Sequence, residues 1–289
     1  MKRNKKITFI SSLSILAMSA GSSQALVVIL SDLTPAGSPL ENFINDSFSN
    51  VTEIRHGNYA NFAAVETQDA LNGTGAFAGS GAADVVIIGR SLSSGDYDAG
   101  DSTGYNSLSI PMVSLTSYTV RSDGTRLGWH GLGATTDKSV AGAETTLTSA
   151  AASILGVPTG TYDLVMEVSA TDSTFNGLGS AGGSFGGADI LATIGGDVLA
   201  AYWAPGSAPG DPTAAGVATF SGPRLLFNLD NDVNTGNNGA NDLNNLTSLG
   251  RLGLIGAIDY ATPLTAVPEP STSFLGLAAL ALAGLRRRR

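Results

Sequence analysis

The sequence predicts an α/β domain in which a mostly parallel sheet is covered by helices on both faces. Two runs rich in large apolar residues, Leu26–Leu30 and Asp84–Gly89, are typical of strands that are buried on both sides. Between them, Ser38 followed by Pro39 and Glu41 marks the start of a helix. Alternation of strands and helices favours parallel pairing, because parallel strands need a long crossover connection.

The other elements follow from local patterns along the chain. Apolar side chains recur at helical spacing after Pro39, which predicts a first helix that ends near Asn50. We expect strands at Val51–Arg55, Met112–Val120 and Arg224–Leu229, a hairpin at Ala188–Tyr202 around Gly195 and Gly196, helices at Asn61–Leu71 and Asn245–Tyr260, and a surface loop at Phe175–Gly187.

Composition excludes several classes of protein. The 289 residues are 43% hydrophobic and 13% charged, which is not the profile of a highly charged disordered chain. The absence of cysteine excludes disulfides, zinc–thiolate sites, iron–sulfur clusters and cysteine nucleophiles. The net charge of -9 hides basic residues concentrated at the two ends, so the middle of the chain is strongly acidic. Such a surface repels phosphates, and we expect no nucleic-acid partner.

The first 25 residues predict a secretory signal peptide. Lysines and an arginine at the start precede the apolar stretch Ile7–Met18, and Ser23 and Ala25 are small residues suited to cleavage by signal peptidase. The alternative is a membrane anchor, which the short, serine-interrupted apolar stretch disfavours.

The last residues carry a more specific pattern. Pro268, Glu269 and Pro270 precede the apolar run Phe274–Leu285, and four arginines follow at 286–289. The run has 12 residues, shorter than the roughly 20 that a spanning helix needs, and the arginines would hold that end in the cytoplasm. We therefore divide the chain into a signal peptide at 1–25, a main domain at 26–262, a linker with the Pro-Glu-Pro motif at 263–271, and a short transmembrane span with its arginine cluster at 272–289.

This tail resembles the PEP-CTERM sorting signal of Gram-negative bacteria, whose three parts it matches in order. The resemblance implies anchoring in the inner membrane, recognition by an exosortase with cleavage near the motif, and delivery to the cell surface or an exopolysaccharide matrix. A simple tail anchor is the alternative.

The main domain resembles the class I glutamine-amidotransferase-like family, especially its trehalose-utilisation-type branch. The residues that carry the resemblance are Asp84–Ser91, Gly95–Tyr97, Pro111–Tyr118 and Arg121, together with the late pattern from Gly196 to Trp203 and Arg224–Leu229. It implies a three-layer, flavodoxin-like fold over residues 26–262.

The family's catalytic residues are missing from this sequence. The resemblance aligns Thr116 with the position of the family's nucleophilic cysteine, and no histidine follows His130. Glutamine hydrolysis by the family mechanism is therefore excluded. A Ser117–His130–Asp arrangement is a second enzymatic alternative, although a Gly-x-Ser-x-Gly elbow is absent around Ser117.

Polar residues at the carboxyl ends of the predicted strands form a candidate ligand site, because ligands of open parallel sheets bind there. The residues are Asp32, Arg90, Ser91, Ser117, Tyr118 and Arg121. A guanidinium group binds carboxylates or phosphates, and Tyr118 or Trp129 would stack on a sugar ring. In the alternative interpretation, Arg90 and Arg121 pair with Asp32, Asp96 or Asp98 and only stiffen the loops.

A candidate calcium loop contains Asp230, Asp232 and Asn234, whose oxygen atoms alternate along the chain. The pattern departs from an EF-hand, since the glycine comes one place late and position twelve is Asn241. An ordinary surface loop is the simpler interpretation, and we expect no other cofactor.

Three hypotheses for function result. The first is a noncatalytic surface or matrix protein that binds carbohydrate, such as exopolysaccharide, or another small anionic ligand. The second is an exported hydrolase or sugar-modifying enzyme that uses the strand-end residues. The third is a calcium-dependent adhesive protein. We favour the first, because the resemblance implies a catalytic triad of cysteine, histidine and glutamate, and this sequence lacks the cysteine and the late histidine.

Overall fold

The computed structural model describes residues 26–31, 37–89, 97–133, 136–139, 145–162, 164, 174–179, 184–229, 243 and 246–262. The strands are β1 (Leu26–Ser31), β2 (Val51–Gly57), β3 (Val85–Ile88), β4 (Met112–Ser114), β5 (Thr136–Ser139), β6 (Thr145–Leu147), β7 (Gly160–Tyr162), β8 (Thr174–Gly179), β9 (Asp189–Ile194), β10 (Asp197–Trp203) and β11 (Arg224–Phe227). The helices are α1 (Pro39–Ser47), α2 (Val65–Asn72), α3 (Ala99–Asn106), α4 (Ser117–Val120), α5 (Ser149–Ile154), α6 (Pro212–Ala215) and α7 (Ser248–Ala261), with a 3₁₀ turn at Gly75–Phe77.

The fold is mixed α/β and is built on one large sheet, as the sequence predicted. Along the sheet the strands follow the order β2-β1-β3-β4-β11-β10-β9-β6-β7. The first five strands are parallel to one another. When only these parallel strands are numbered along the chain, β11 is the fifth, and their order across the sheet is 2-1-3-4-5. From β10 onward the pairing is antiparallel.

Apolar side chains cover both faces of the sheet. One face carries Val28, Ile87 and Phe227 and packs against α1, α5 and α7. The other carries Ile29 and Val86 and packs against residues of α2, α3 and α4. Alternate residues of each strand point to opposite faces, so unbroken apolar strands fill two cores at once.

Local sequence signals explain several element boundaries. The hydroxyl of Ser38 accepts a hydrogen bond from the Glu41 amide at 3.1 Å, which confirms the capped start of α1. The pair Gly195 and Gly196, with φ of 56° and 90°, makes the tight turn between β9 and β10 and confirms the hairpin. The helix predicted from Asn245 begins later, at α7, because the hydroxyl of Thr247 caps it.

Two predictions of local structure were wrong. The strand expected over Met112–Val120 ends at Ser114, and the chain turns into α4. The first part of the surface loop expected at Phe175–Gly187 is instead strand β8, which pairs with β5 and β10. Its Gly177 lies so close to Asp197 that a β-carbon would overlap that side chain, so this glycine marks close packing rather than a loop.

A buried arginine joins the start of β11 to the end of α3 and to the segment before β4. The guanidinium of Arg224, at the start of β11, donates hydrogen bonds to five main-chain carbonyl oxygens, those of Tyr105, Asn106, Leu108, Ile110 and Pro223. Tyr105 and Asn106 end α3, where carbonyl groups lack partners within the helix. Burial lowers the pKa of Arg224 to about 9, so the guanidinium remains charged at neutral pH. Its positive charge interacts favourably with the negative, C-terminal end of the α3 dipole.

Removing this guanidinium should destabilise the fold strongly. In Arg224→Met the apolar stem remains, but the five carbonyl oxygens lose the guanidinium as donor, and those of Tyr105, Asn106 and Pro223 keep only their main-chain donors. We expect a loss of about 3 kcal/mol in the free energy of unfolding. Urea denaturation of the full chain in detergent measures this change. Trp129 and Trp203, both fully buried, report unfolding by fluorescence.

Arg251 supplies the matched control for Arg224. It is half-buried on α7 and donates to the Leu243 carbonyl, and Arg251→Met should cost less than about 1 kcal/mol. Equal losses in the two variants would contradict the special role of Arg224.

Two glycines of α7 provide a second test of packing. A β-carbon at Gly256 would overlap the Leu155 carbonyl oxygen, whereas one at Gly253 would lie 3.6 Å from Phe227, an ordinary contact. Gly256→Ala should therefore destabilise by about 1–3 kcal/mol. Gly253→Ala should be neutral or stabilise by up to about 1 kcal/mol, because alanine favours helix. Thermal melting of both variants checks the opposite signs, and an equal effect would show that α7 does not approach Leu155 closely.

Candidate functional site

The structure describes three of the six predicted ligand-binding residues. Ser117, Tyr118 and Arg121 lie on α4 and at its end, directly after the carboxyl end of β4. Asp32, Arg90 and Ser91 lie outside the described residues, as do Asp230, Asp232 and Asn234 of the predicted calcium loop and Pro268, Glu269 and Pro270 of the sorting motif. Their roles remain predictions.

The turn between β4 and α4 is held by its own hydroxyl groups. The Oγ1 of Thr116 accepts a hydrogen bond from the Tyr118 amide at 3.2 Å and caps α4. The hydroxyls of Ser114 and Thr119 lie 2.8 Å apart. Thr116 has an extended backbone, with φ of -134° and ψ of 136°, unlike the strained turn that exposes a nucleophile. Its hydroxyl therefore serves to start the helix.

Ser117 is tied to the neighbouring strand. It is fully buried, and its amide donates a hydrogen bond to Oδ1 of Asn228 at 3.1 Å. Asn228 follows β11, so this bond joins the carboxyl ends of two adjacent parallel strands. Asn228 is not among the predicted site residues, because the strand predicted at Arg224–Leu229 places it inside the strand, whereas β11 ends at Phe227.

Tyr118 and Arg121 form the accessible part of the site. The guanidinium of Arg121 lies over the Tyr118 ring, 4.6 Å from its centroid, and Nη1 donates to the Gly133 carbonyl at 3.1 Å. Arg126, which the sequence analysis did not select, forms an ion pair with Asp123 in the same loop. Burial, followed by the positive charge of Arg121, lowers the pKa of Arg126.

His130 is a structural residue in this fold. It is fully buried, and Nε2 lies 3.1 Å from the Gly179 carbonyl while Nδ1 lies 3.3 Å from both the carbonyl and the amide of Leu132. Its ring packs 4.5 Å from that of Phe185. Both ring nitrogens contact main-chain groups. The approach of His130 to Ser117 that the Ser117–His130–Asp alternative requires is not observed.

Trp129 does not face a ligand. It is fully buried, its Nε1 donates to Oδ1 of Asn106 at 2.8 Å, and its ring lies edge-on to Trp203 and Phe220. The expectation that Trp129 stacks on a sugar was therefore wrong, and Tyr118 is the remaining aromatic candidate.

The opening between β1 and β3 is where the order of the parallel strands reverses, and such points bind ligands in open sheets. Ser31, at the carboxyl end of β1, is buried, and its hydroxyl makes no hydrogen bond with the part of the chain that the structure describes. Within those same residues, no three histidine, aspartate or glutamate side chains converge on a metal site.

Residues 266–289 match the family model of the PEP-CTERM protein-sorting motif. The chain carries a PEP-CTERM sorting motif. The match confirms the prediction from the tail, and it supports export with a C-terminal, membrane-anchored sorting signal that an exosortase processes. No curated protein matches the chain. In the described ranges, which end at residue 262, no helix has both the length and the apolar character needed to cross a membrane.

The burial of His130 predicts a pH dependence of stability. Desolvation lowers its pKa below 6.5 in the folded state, so the unfolded chain binds more protons between that lowered pKa and 6.5. Stability should therefore fall as pH decreases through this window. Melting temperatures of wild type and His130→Gln between pH 5 and 8 measure the difference, and the variant should lack this part of the fall. His56→Gln retains His130 and is the matched control; an unchanged profile in His130→Gln would contradict the assignment.

Proposed function

We propose that the protein is exported, processed by an exosortase at its C-terminal tail, and displayed at the cell surface or in an exopolysaccharide matrix. There its α/β domain would bind an anionic carbohydrate or another small anionic ligand without catalysing a reaction. The match of residues 266–289 to the sorting motif carries the proposal. The basic, apolar N-terminal segment supports it, because export requires such a signal.

The strand order supports a flavodoxin-like assignment for the domain. The parallel strands read 2-1-3-4-5 in chain order, as in flavodoxin-like folds, which bind ligands beyond the carboxyl ends of their strands. The arginine and tyrosine side chains after β4 lie at that edge. We keep the resemblance to amidotransferases as a proposal about the ancestry of the fold, and it implies nothing about activity.

The contacts of two residues favour binding over catalysis. The Thr116 hydroxyl caps α4, and both ring nitrogens of His130 contact main-chain groups. An exported hydrolase that used Ser117 would need a nearby general base, and the contacts of His130 disfavour that role. The hydrolase is therefore the weaker alternative.

Processing at the motif can be tested by changing its three residues. In a Gram-negative host with an exosortase, the wild-type chain should lose its tail and reach the cell surface or medium. The triple variant Pro268→Ala, Glu269→Ala, Pro270→Ala should keep its C-terminal tail and remain with the inner membrane. Mass spectrometry of fractionated cells measures both outcomes.

Pro263→Ala is the control, because this proline lies in the linker outside the matched residues. It should be processed like wild type. A wild-type chain that keeps its tail in the exosortase host, or a triple variant that is processed normally, would refute the proposed sorting.

A further inference from the structure

Helix α7 carries apolar side chains on the side that faces away from the sheet. Its inner side is buried in the core, but Leu252 is 57% exposed and Tyr260 is 42% exposed. Leu252 lies three positions from each of the half-buried Leu249 and Ile255, so the three side chains share one side of the helix. Tyr260 flanks them near the end of the helix. We refer to Leu249, Leu252, Ile255 and Tyr260 as the outer face of α7.

This apolar character is unusual for the exposed side of a surface helix. A helix that packs one side on a core ordinarily turns polar residues to solvent. Helix α1, which covers the same face of the sheet, does so with Asn42, Asn45 and Asp46. Among the residues of α7, all of which the structure describes, Asp259 carries the only exposed charge. An exposed apolar surface of this kind marks a place where a partner or a membrane is contacted.

The place of α7 in the chain keeps its outer face within reach of a membrane. The helix ends at Ala261, and the sorting motif begins at residue 266. Residues 263–273 separate the helix from the apolar run Phe274–Leu285, and a segment of that length spans at most about 40 Å. A short tether raises the effective concentration of the bilayer around α7, so a weak apolar contact would persist while the tail is attached.

The dimensions and chemistry of the outer face suit the headgroup layer of a membrane. With 14 residues, α7 is about 21 Å long, shorter than the roughly 30 Å of bilayer hydrocarbon, so it would lie along a membrane and not cross it. Tyrosine is enriched at membrane interfaces, where its ring is buried and its hydroxyl stays in water. The ring of Tyr260 is held edge-on to that of Tyr202, with centroids 5.1 Å apart. The carboxylate of Asp259 limits the depth, because a charge remains among the headgroups.

We infer that the outer face of α7 lies in the headgroup layer of a zwitterionic membrane for as long as the C-terminal tail is attached. The acidic middle of the chain repels anionic lipids, which favours a zwitterionic surface. This contact goes beyond the proposed function and rests on one part of it, the membrane-anchored tail. It would hold the domain at the membrane until the tail is cut. Release would follow, because a face of this size binds weakly without the tether.

Single cysteines test the contact cleanly, because the chain has no cysteine of its own. Leu252→Cys places an environment-sensitive NBD probe on the outer face. Val65→Cys is the matched control, since Val65 is 71% exposed at the start of α2, which packs on the opposite face of the sheet. Each labelled full-length chain is reconstituted into vesicles of phosphatidylcholine and phosphatidylethanolamine, and flotation establishes its attachment.

Two quenchers report where each probe lies. We expect lipids with a nitroxide on the upper acyl chain to quench the probe at position 252 at least about twofold more than the probe at position 65. Iodide in the water should quench the probe at position 252 less than the probe at position 65, because the headgroup layer shields it.

A charge variant separates insertion from mere proximity to the bilayer. Asp259→Asn removes the carboxylate from the outer side of α7 and should increase lipid quenching at position 252, since burial of a charge in lipid is costly. Asp46→Asn removes an exposed charge from α1 and should leave the quenching unchanged. Quenching that Asp259→Asn does not increase would show that α7 stays outside the headgroup layer.

The remaining outcomes assign failure to different parts of the argument. Equal lipid quenching at positions 252 and 65 in a floating chain would overturn the inference and leave the anchored tail standing. Shielding of position 252 from both quenchers, with disulfide cross-links between unlabelled Leu252→Cys chains, would show that a second copy covers the face instead. A chain that does not float would overturn the inference together with the membrane anchor on which it rests. The vesicles contain no exosortase, so sorting by the tail is decided by its own experiment.

Discussion

The buried guanidinium of Arg224 is the interaction on which the parallel half of the fold depends. Four of its five hydrogen bonds go to carbonyl oxygens at the end of α3 and in the segment before β4, more than 110 positions earlier in the chain. Within the part of the chain that the structure describes, this charge has no carboxylate partner, which is tolerable because several dipoles solvate it and the helix end supplies partial negative charge. By fixing the start of β11 beside β4, it also sets where the opposite ends of those strands emerge. Ser117 and Asn228 meet at that opposite end. The position of the candidate site therefore follows from a contact at the amino ends of the same strands.

At the site itself, side chains that are catalytic in other proteins are used for structure. A threonine hydroxyl caps a helix, a serine amide links two strands, and a histidine joins a loop to β8. Activating the threonine hydroxyl as a nucleophile or the histidine as a base would first require breaking its contact. The chemistry that remains accessible is charge and surface shape, supplied by Arg121 and Tyr118. This is why binding fits the geometry better than turnover does.

The sequence predicted those elements whose local signals agree with the tertiary structure. Leu26–Leu30 is apolar without interruption because both of its faces are buried, and Ser38 with Glu41 caps α1 whatever surrounds it. The prediction failed at Met112–Val120, where Thr and Val continue a strand-like pattern although the Thr116 hydroxyl starts a helix. Of the candidate site, Tyr118 and Arg121 were found from their place after a strand. Arg126 and Asn228 were not, because nothing in the spacing along the chain reveals that a loop folds back or that two strands are neighbours.

An acidic chain that binds an acidic polymer faces a conflict between long-range and short-range electrostatics. The excess of carboxylates repels such a polymer at a distance, but screening at physiological salt limits this repulsion to about 8 Å. Inside that range, a guanidinium group such as that of Arg121 would outweigh dispersed carboxylates, because its contact with a bound anion is direct and partly desolvated. Affinity per site would stay modest and salt-sensitive. A repeating polysaccharide offers many such contacts to many displayed copies, and the effective concentration of neighbouring sites would then give firm attachment. A weak anion site is therefore consistent with a protein that a sorting motif directs to a surface or matrix, whereas the same site would hold a free monomer poorly.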